Sequence, residues 1–255
     1  MDIWQALVLG LVQGASEFLP VSSSGHLLLL EKLGVGEENL FFNVMLHVGT
    51  LFAVLIAMRK KWIPLARKPF NKTNGLILLA CMPTVALAFL FKLLAPSLLD
   101  GKLLGCGFVL TACLLYASEN FSFAKSTLLC AKTSILTGVL QGIAILPGVS
   151  RSGATISALT LQGVDKESAA DFSFLLSIPI IVGSALYESL DLMTGKVALD
   201  MSPWAIVAGV AAAFVAGLVS IETFLKLIKK HSMNGFVLYT LALGIVVSIL
   251  PLFVR

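Results

Sequence analysis

Long apolar runs separated by short polar punctuation organise this chain. Six of them, near 40–58, 74–95, 102–119, 171–190, 203–228 and 235–254, are each long enough to cross a lipid hydrocarbon core. Such a core is about 30 Å thick and takes about 20 helical residues at 1.5 Å each. Pro83 and Pro179 fall inside two of these runs and are expected to kink them. Two further apolar regions break in the middle. Residues 3–16 predict a short helix, Phe18-Leu19-Pro20-Val21-Ser22-Ser23-Ser24-Gly25 interrupts it, and a short, mostly apolar arm follows. Residues 133–146 do the same ahead of Pro147-Gly148-Val149-Ser150-Arg151-Ser152-Gly153. Each arm is too short to span, so each region is expected to dip in and return as a re-entrant helical hairpin.

The two broken regions also resemble each other. Gly10-Leu11-Val12-Gln13-Gly14 recurs as Gly138-Val139-Leu140-Gln141-Gly142, Leu19-Pro20 as Leu146-Pro147, and Ser24-Gly25 as Ser152-Gly153. These matches share nearly one offset, 128 residues, which marks an internal duplication. The pattern predicts an all-α polytopic membrane protein of about six transmembrane helices plus two re-entrant hairpins. It forms one membrane domain over 1–255, with one repeat near 1–119 and a second near 132–255.

Composition supports lipid as the solvent. Of 255 residues, 58% are hydrophobic and 13% charged, against roughly a quarter charged in an average soluble domain. The net charge of +4 is small, and no nucleic-acid-binding patch is expected. Met1-Asp2-Ile3-Trp4 carries neither a basic stretch nor a small-residue cleavage site, so no removable signal peptide is expected. Cys81, Cys106, Cys113 and Cys130 lie in or beside apolar stretches without CxxC spacing and read as packing residues.

Charge then orients the chain. Following the spans in order puts Arg59, Lys60, Lys61, Arg67, Lys68, Lys72, Lys125, Lys132, Lys166, Lys226, Lys229 and Lys230 on one side. Lys32, Lys92, Lys102, Lys196 and Arg255 fall on the other. The first side is expected to be cytoplasmic by the positive-inside rule. Both termini then face outward, the first hairpin enters from outside and the second from inside. Their broken tips should meet near the midplane, where such inverted repeats bind polar ligands.

Non-helical backbone at membrane depth survives only where protein or a water-filled cavity surrounds it, so the two tips locate the site before residue type is considered. The first holds Gln13, Glu17, Ser22, Ser23, Ser24 and His26. Gln13 and Glu17 are four apart and share a helix face, and Glu17 is a charge at depth that needs a partner or a metal. Part of the serine run is explained by a helix N-cap. His26 could serve as general acid/base or nucleophile. The second tip supplies Gly148, Ser150, Arg151, Ser152 and Thr155. An intramembrane arginine flanked by hydroxyls suits phosphate oxygens, a helix opening near Ser152 would aim N–H groups at an anion, and an Arg151–Glu17 ion pair can coexist with that use. His47 reads as a helix-packing hydrogen bonder, Asp171 as a helix start, Glu222 with Lys226 as an i,i+4 pair, and Glu188 and Asp191 as outer-interface residues.

The runs Gln13-Gly-Ala-Ser-Glu17-Phe-Leu-Pro-Val-Ser-Ser-Ser-Gly-His26 and Pro147-Gly-Val-Ser-Arg-Ser-Gly-Ala-Thr155, with Phe172-Ser-Phe-Leu-Leu-Ser-Ile-Pro179, resemble the undecaprenyl-diphosphate phosphatases of the bacitracin-resistance type over essentially the whole chain. The resemblance implies removal of the terminal phosphate from a C55 isoprenoid diphosphate. That reaction recycles the lipid carrier for peptidoglycan synthesis and confers bacitracin resistance. It further implies a divalent cation, Mg²⁺ or Ca²⁺, a bacterial plasma (inner) membrane location and an outward-facing site. Gln13 stands where the family has Glu or Gln, which leaves one certain carboxylate.

Within that implied chemistry, Arg151, Ser150, Ser152 and Thr155, with Ser22, Ser24 and Gly148, are expected to hold phosphate. Glu17 assisted by Gln13 is expected to hold the metal. Ser23 is the expected nucleophile with His26 or Glu17 as base, and direct attack by His26, or by a water it activates, is the competitor. The substrate is a polyprenyl diphosphate lipid in contact with membrane lipids, and homo-oligomerisation is compatible with the sequence. The other large class of membrane lipid phosphatases needs Lys-x6-Arg-Pro and Ser-Arg-x5-His segments; the first is absent, and Ser157 stands where the second needs His. The stronger rival is a polyprenyl-phosphate transporter or flippase without hydrolysis.

Overall fold

The computed structural model describes residues 1–36, 39–121, 128–193 and 201–250, with side chains of 188–193 excluded. Lys125, Lys196, Arg255 and the side chains of Glu188 and Asp191, all placed above by charge, lie outside the described residues. Eleven α-helices are present among those described, and no strand. The first hairpin is α1 (Ile3–Phe18) and α2 (Ser23–Lys32); the second is α7 (Ala131–Ile143) and α8 (Arg151–Leu161). Their arms of 16, 10, 13 and 11 residues are about 15–24 Å long at 1.5 Å per residue, short of a hydrocarbon core.

The expected spans are α3 (Leu40–Ala57), α5 (Lys72–Leu94), α6 (Leu104–Asn120), α9 (Lys166–Met193), α10 (Pro203–Ile228) and α11 (Asn234–Ile249). Of these, α3, α5, α9 and α10 are long and apolar enough to cross a membrane; α6 and α11 are shorter, at 17 and 16 residues. Large apolar side chains such as Trp4, Leu93 and Trp204 are exposed on the outside of the bundle, as a lipid-facing surface requires. The chain is an all-α polytopic membrane protein.

Two elements differ from expectation. Residues Arg59–Arg67 form a further helix, α4, inside what reads as a basic loop; Trp62 anchors it by donating its indole N–H to the Leu55 carbonyl at 2.7 Å. Asp171 does not start a helix. It sits one and a half turns inside α9 and pairs with Lys61 of α4, while Asp165 ahead of the helix accepts the Ser168 N–H at 2.9 Å. Asp165 is the better cap because its carboxylate faces unpaired first-turn N–H groups.

Small residues fix how the helices meet. Between helices in lipid, packing needs close backbone approach. A Cβ on Gly10 would stand 2.2 Å from the Gly209 carbonyl oxygen of α10, and one on Gly14 2.4 Å from that of Ala213. The matching Gly138 would meet the Ala80 oxygen of α5 at 2.1 Å, and Gly142 the Leu87 side chain at 2.5 Å. Thus α1 runs parallel to α10, and α7 parallel to α5. Gly105 and Gly244 bring α6 and α11 together antiparallel. Gly10 and Gly138, and likewise Gly14 and Gly142, are 128 apart and make equivalent helix contacts, and these three relative directions agree with the alternation inferred from the chain order.

Beneath the first tip, Phe18 meets Phe174 edge-on at 5.4 Å and Phe174 meets Phe224 at 5.9 Å, all in the core. At the bundle end where α3, α6 and α10 finish, Lys61 pairs with Asp171, Lys166 with Glu119, and Lys229 with Glu167.

Candidate active site

Each hairpin tip is built to start a short helix at the same place. Ser22 caps α2 by accepting the Gly25 N–H at 3.3 Å, and Ser150 caps α8 by accepting the Gly153 N–H at 3.0 Å. Ser23 and Arg151 are the first residues of those helices and stand 128 apart. Ser22 has φ +70°, the only positive φ outside glycine among the described residues. That conformation costs a serine about 1–3 kcal/mol, which the surrounding packing must offset. It turns the chain sharply enough to lay Ser23 back over the end of α1.

Glu17 lies there, 6% exposed, and both its oxygens are occupied. Arg151 Nη2 donates to Oε1. Ser23 Oγ donates to Oε2 at 2.5 Å, and Gln13 Nε2 donates to it at 2.9 Å. The tips of the two hairpins are thus joined through one carboxylate. A buried charge needs such pairing, because leaving either partner alone costs several kcal/mol. Arg151 retains a buried Nη1 with no hydrogen-bond partner.

A cavity of about 330 Å³ opens beside this cluster. Glu17, Ser22, Ser23, Ser24, Ser150 and Arg151 line it, together with Asn43 and His47 of α3 and Ser184 of α9. Both short helices present their N-termini here, so unpaired N–H groups and positive dipole ends face one space. Such an arrangement suits an anion, beside a hydroxyl already hydrogen-bonded to a carboxylate.

Other residues anticipated for the site act from behind it. Gln13 is fully buried and reaches the cavity only through Glu17. Ser152 donates to the Leu19 carbonyl at 2.9 Å and tethers one tip to the other. Thr155 shares a 2.6 Å hydrogen bond with Ser173. Gly148, at φ +89°, passes so close to α6 that a Cβ would stand 2.3 Å from the Leu104 oxygen; it packs rather than lines the cavity. His26 faces away. Its Nδ1 is 2.7 Å from the Ser22 carbonyl, its Nε2 2.6 Å from the Tyr239 hydroxyl, and its ring stacks on Tyr239. It borders a separate, largely apolar groove.

Three contributors were not assigned to the site from the sequence, which read His47 as a helix-packing hydrogen bonder. Thr111 of α6 donates to the Gly148 carbonyl at 3.1 Å and accepts the Ser150 N–H at 2.9 Å, pinning the second tip. His47 places Nε2 3.8 Å from Glu17 Oε2, and Asn43 lies one turn before it. An i,i+4 pair of polar residues inside an apolar helix was the available signal for the last two.

Comparison with known proteins gives the family. The family model described as "Bacitracin resistance protein BacA" matches residues 6–246. A protein of Carboxydothermus hydrogenoformans named undecaprenyl-diphosphatase is 38% identical over 259 residues, covering 98% of each chain. Undecaprenyl-diphosphatase 3 of Bacillus cereus is 36% identical over 97% of this chain and 96% of its own. The undecaprenyl-diphosphatase of Christiangramia forsetii is 39% identical over 96% and 97%. On that coverage and on the two tips it contains, this chain belongs to the bacitracin resistance protein BacA family.

Proposed function

We propose that this protein hydrolyses undecaprenyl diphosphate to undecaprenyl phosphate and inorganic phosphate, recycling a lipid carrier for peptidoglycan synthesis and conferring bacitracin resistance. The observation that carries the reading is the uncommitted Arg151 Nη1, buried in a cavity where two helix N-termini converge. Arg151 can take a phosphate oxygen on that nitrogen while Nη2 stays on Glu17. Names of the relatives supply the substrate; the isoprenoid tail lies among the spans with membrane lipid.

Ser23 is the nucleophile. Its hydroxyl donates to Glu17, so the carboxylate is already placed to take the proton as Oγ attacks the terminal phosphorus. The Oγ–P bond forms, the bridging P–O bond breaks, and undecaprenyl phosphate leaves. Water then cleaves the phosphoserine and Ser23 regains its proton from Glu17. The two helix N-termini and Arg151 stabilise the charge that develops on the phosphoryl oxygens. Of the two bases the sequence offers, Glu17 is favoured, because both ring nitrogens of His26 are engaged on the other side of α2.

A divalent cation, Mg²⁺ or Ca²⁺, fits the donor set through Glu17, since such ions bind through one or two carboxylates plus substrate oxygens; it would neutralise charge on the diphosphate. Gln13 would then hold Glu17 in register. The location proposed is the bacterial plasma membrane with the cavity facing out. The lining supports this: it reaches Leu40 at the first turn of α3 and Ser184 in the second half of α9, towards the end opposite the lysine-rich one.

The test is phosphate release from undecaprenyl diphosphate by the purified protein in detergent, with and without chelator. Wild type should turn over, chelation should stop it, and Arg151→Ala should lose about 10²–10³-fold in kcat. Binding without phosphate release would instead establish the transporter reading.

A further inference from the structure

Asn43 and His47 belong to neither hairpin, yet both line the cavity. Asn43 Nδ2 donates to Glu31 Oε1 at 3.1 Å. That bond fixes the amide, because the opposite orientation would set Oδ1 against a carboxylate. Asn43 Oδ1 is buried and has no partner. His47 Nδ1 lies 2.7 Å from the Asn43 carbonyl, so Nδ1 carries a hydrogen, and the tautomer that this bond selects has its lone pair on Nε2. That nitrogen is 3.8 Å from Glu17 Oε2.

Two uncommitted electron-pair donors, His47 Nε2 and Asn43 Oδ1, therefore belong to residues that line the cavity with Glu17, whose Oε2 already accepts from Ser23 and Gln13. Phosphate has no use for them, since its oxygens need hydrogen-bond donors, which Arg151 and the helix N-termini supply. Arg151 already pairs with Glu17, so two further acceptors beside that pair call for a second cation. We infer that Glu17, His47 and Asn43 form a divalent-cation site with one imidazole ligand, the amide oxygen of Asn43 completing the protein's share. The 3.8 Å gap between Nε2 and Oε2 is wider than a hydrogen bond and within the span of about 4.2 Å that two ligands of one metal at about 2.1 Å each can cover. A backbone carbonyl on the far ring nitrogen is how metal-binding imidazoles are held. Among the described residues no three of His, Cys, Asp and Glu cluster together, so water and diphosphate oxygens fill the remaining positions; for those the inference rests on the diphosphate reading. A nitrogen ligand shifts preference from Ca²⁺, an oxygen-seeking ion, towards Mn²⁺ and other first-row metals.

Mn²⁺ is the probe. Pulsed electron paramagnetic resonance of untagged protein in detergent should show coupling to a directly bound imidazole nitrogen in wild type and in His26→Gln, and none in His47→Gln. Mn²⁺ affinity should fall about tenfold or more in His47→Gln and in Asn43→Leu, with melting temperatures confirming that each variant is folded. Coupling that persists in His47→Gln overturns the inference. So does a wild-type spectrum without nitrogen coupling, which would leave His47 as an ion-pair partner of Glu17; this arm needs no variant. Phosphate release by wild type is read separately. Turnover without nitrogen coupling sinks the site alone, and absence of turnover sinks the phosphatase reading while the spectrum still decides the site.

Discussion

Glu17 receives an arginine, a serine and a glutamine within hydrogen-bonding reach, which makes it the structural knot of the site as well as the base of the proposed mechanism. These roles separate experimentally. Ser23→Ala removes the proposed attacking oxygen but leaves the Glu17–Arg151 pair, so kcat should fall about 10³-fold with little change in melting temperature; single-turnover assays check this. Glu17→Gln and Arg151→Met each strand a buried charge or donor, at a cost of about 3–5 kcal/mol. The double variant strands neither, and should melt above both singles in detergent while remaining inactive. Sequence brought Glu17, Ser23 and Arg151 together because an intramembrane charge must find a partner and two broken helices must meet. It put His26 in the site and read His47 as a packing residue, whereas the structure sets His47 on the cavity lining and His26 on a separate groove. Each is an isolated histidine on a helix, and which helix face sees the cavity is decided by packing: Tyr239, 213 residues away, holds His26, and α3 turns His47 towards Glu17.

At the level of elements, the duplicated Gly-x-x-Gln-Gly run that marks the internal duplication serves the two copies differently. Its glutamine does support Glu17 in the first copy; in the second, Gln141 donates to Thr84 at 2.9 Å. The glycines are contact points between helices. Gly138→Ala would press a methyl group into the Ala80 carbonyl at 2.1 Å and should destabilise by about 1–3 kcal/mol. Gly75, on the same α5, has open space where its Cβ would go; there alanine should stabilise by about 0.5–1 kcal/mol through lower chain entropy. Thermal unfolding in detergent distinguishes the two. Span positions were legible because lipid demands long apolar runs. The helix at Arg59–Arg67 was not, since its charges and Pro64 carry a loop signal that Trp62 overrides by docking on α3.

Across the whole molecule, charge and cavity point in opposite directions. Lys61, Lys166 and Lys229 find their acids at one end, whereas the cavity lining climbs towards the other. An enzyme acting on a carrier lipid must face the leaflet where its headgroup stands, so the orientation decides whether the chemistry can serve the cell. Cys130 offers the measurement. It precedes α7 at the lysine-rich end, fully exposed, and the Thr133 N–H and hydroxyl hold its thiol below the ordinary cysteine range. A lowered pKa means more thiolate at neutral pH and faster reaction with maleimide. With Cys81, Cys106 and Cys113 replaced by alanine, an impermeant maleimide should spare Cys130 in intact cells and modify it in inside-out vesicles. Ser24→Cys, on the exposed rim of the cavity, should react in intact cells and be shielded by polyprenyl diphosphate. The reverse pattern would turn the cavity to the cytoplasm, and the positive-inside assignment would fall with it.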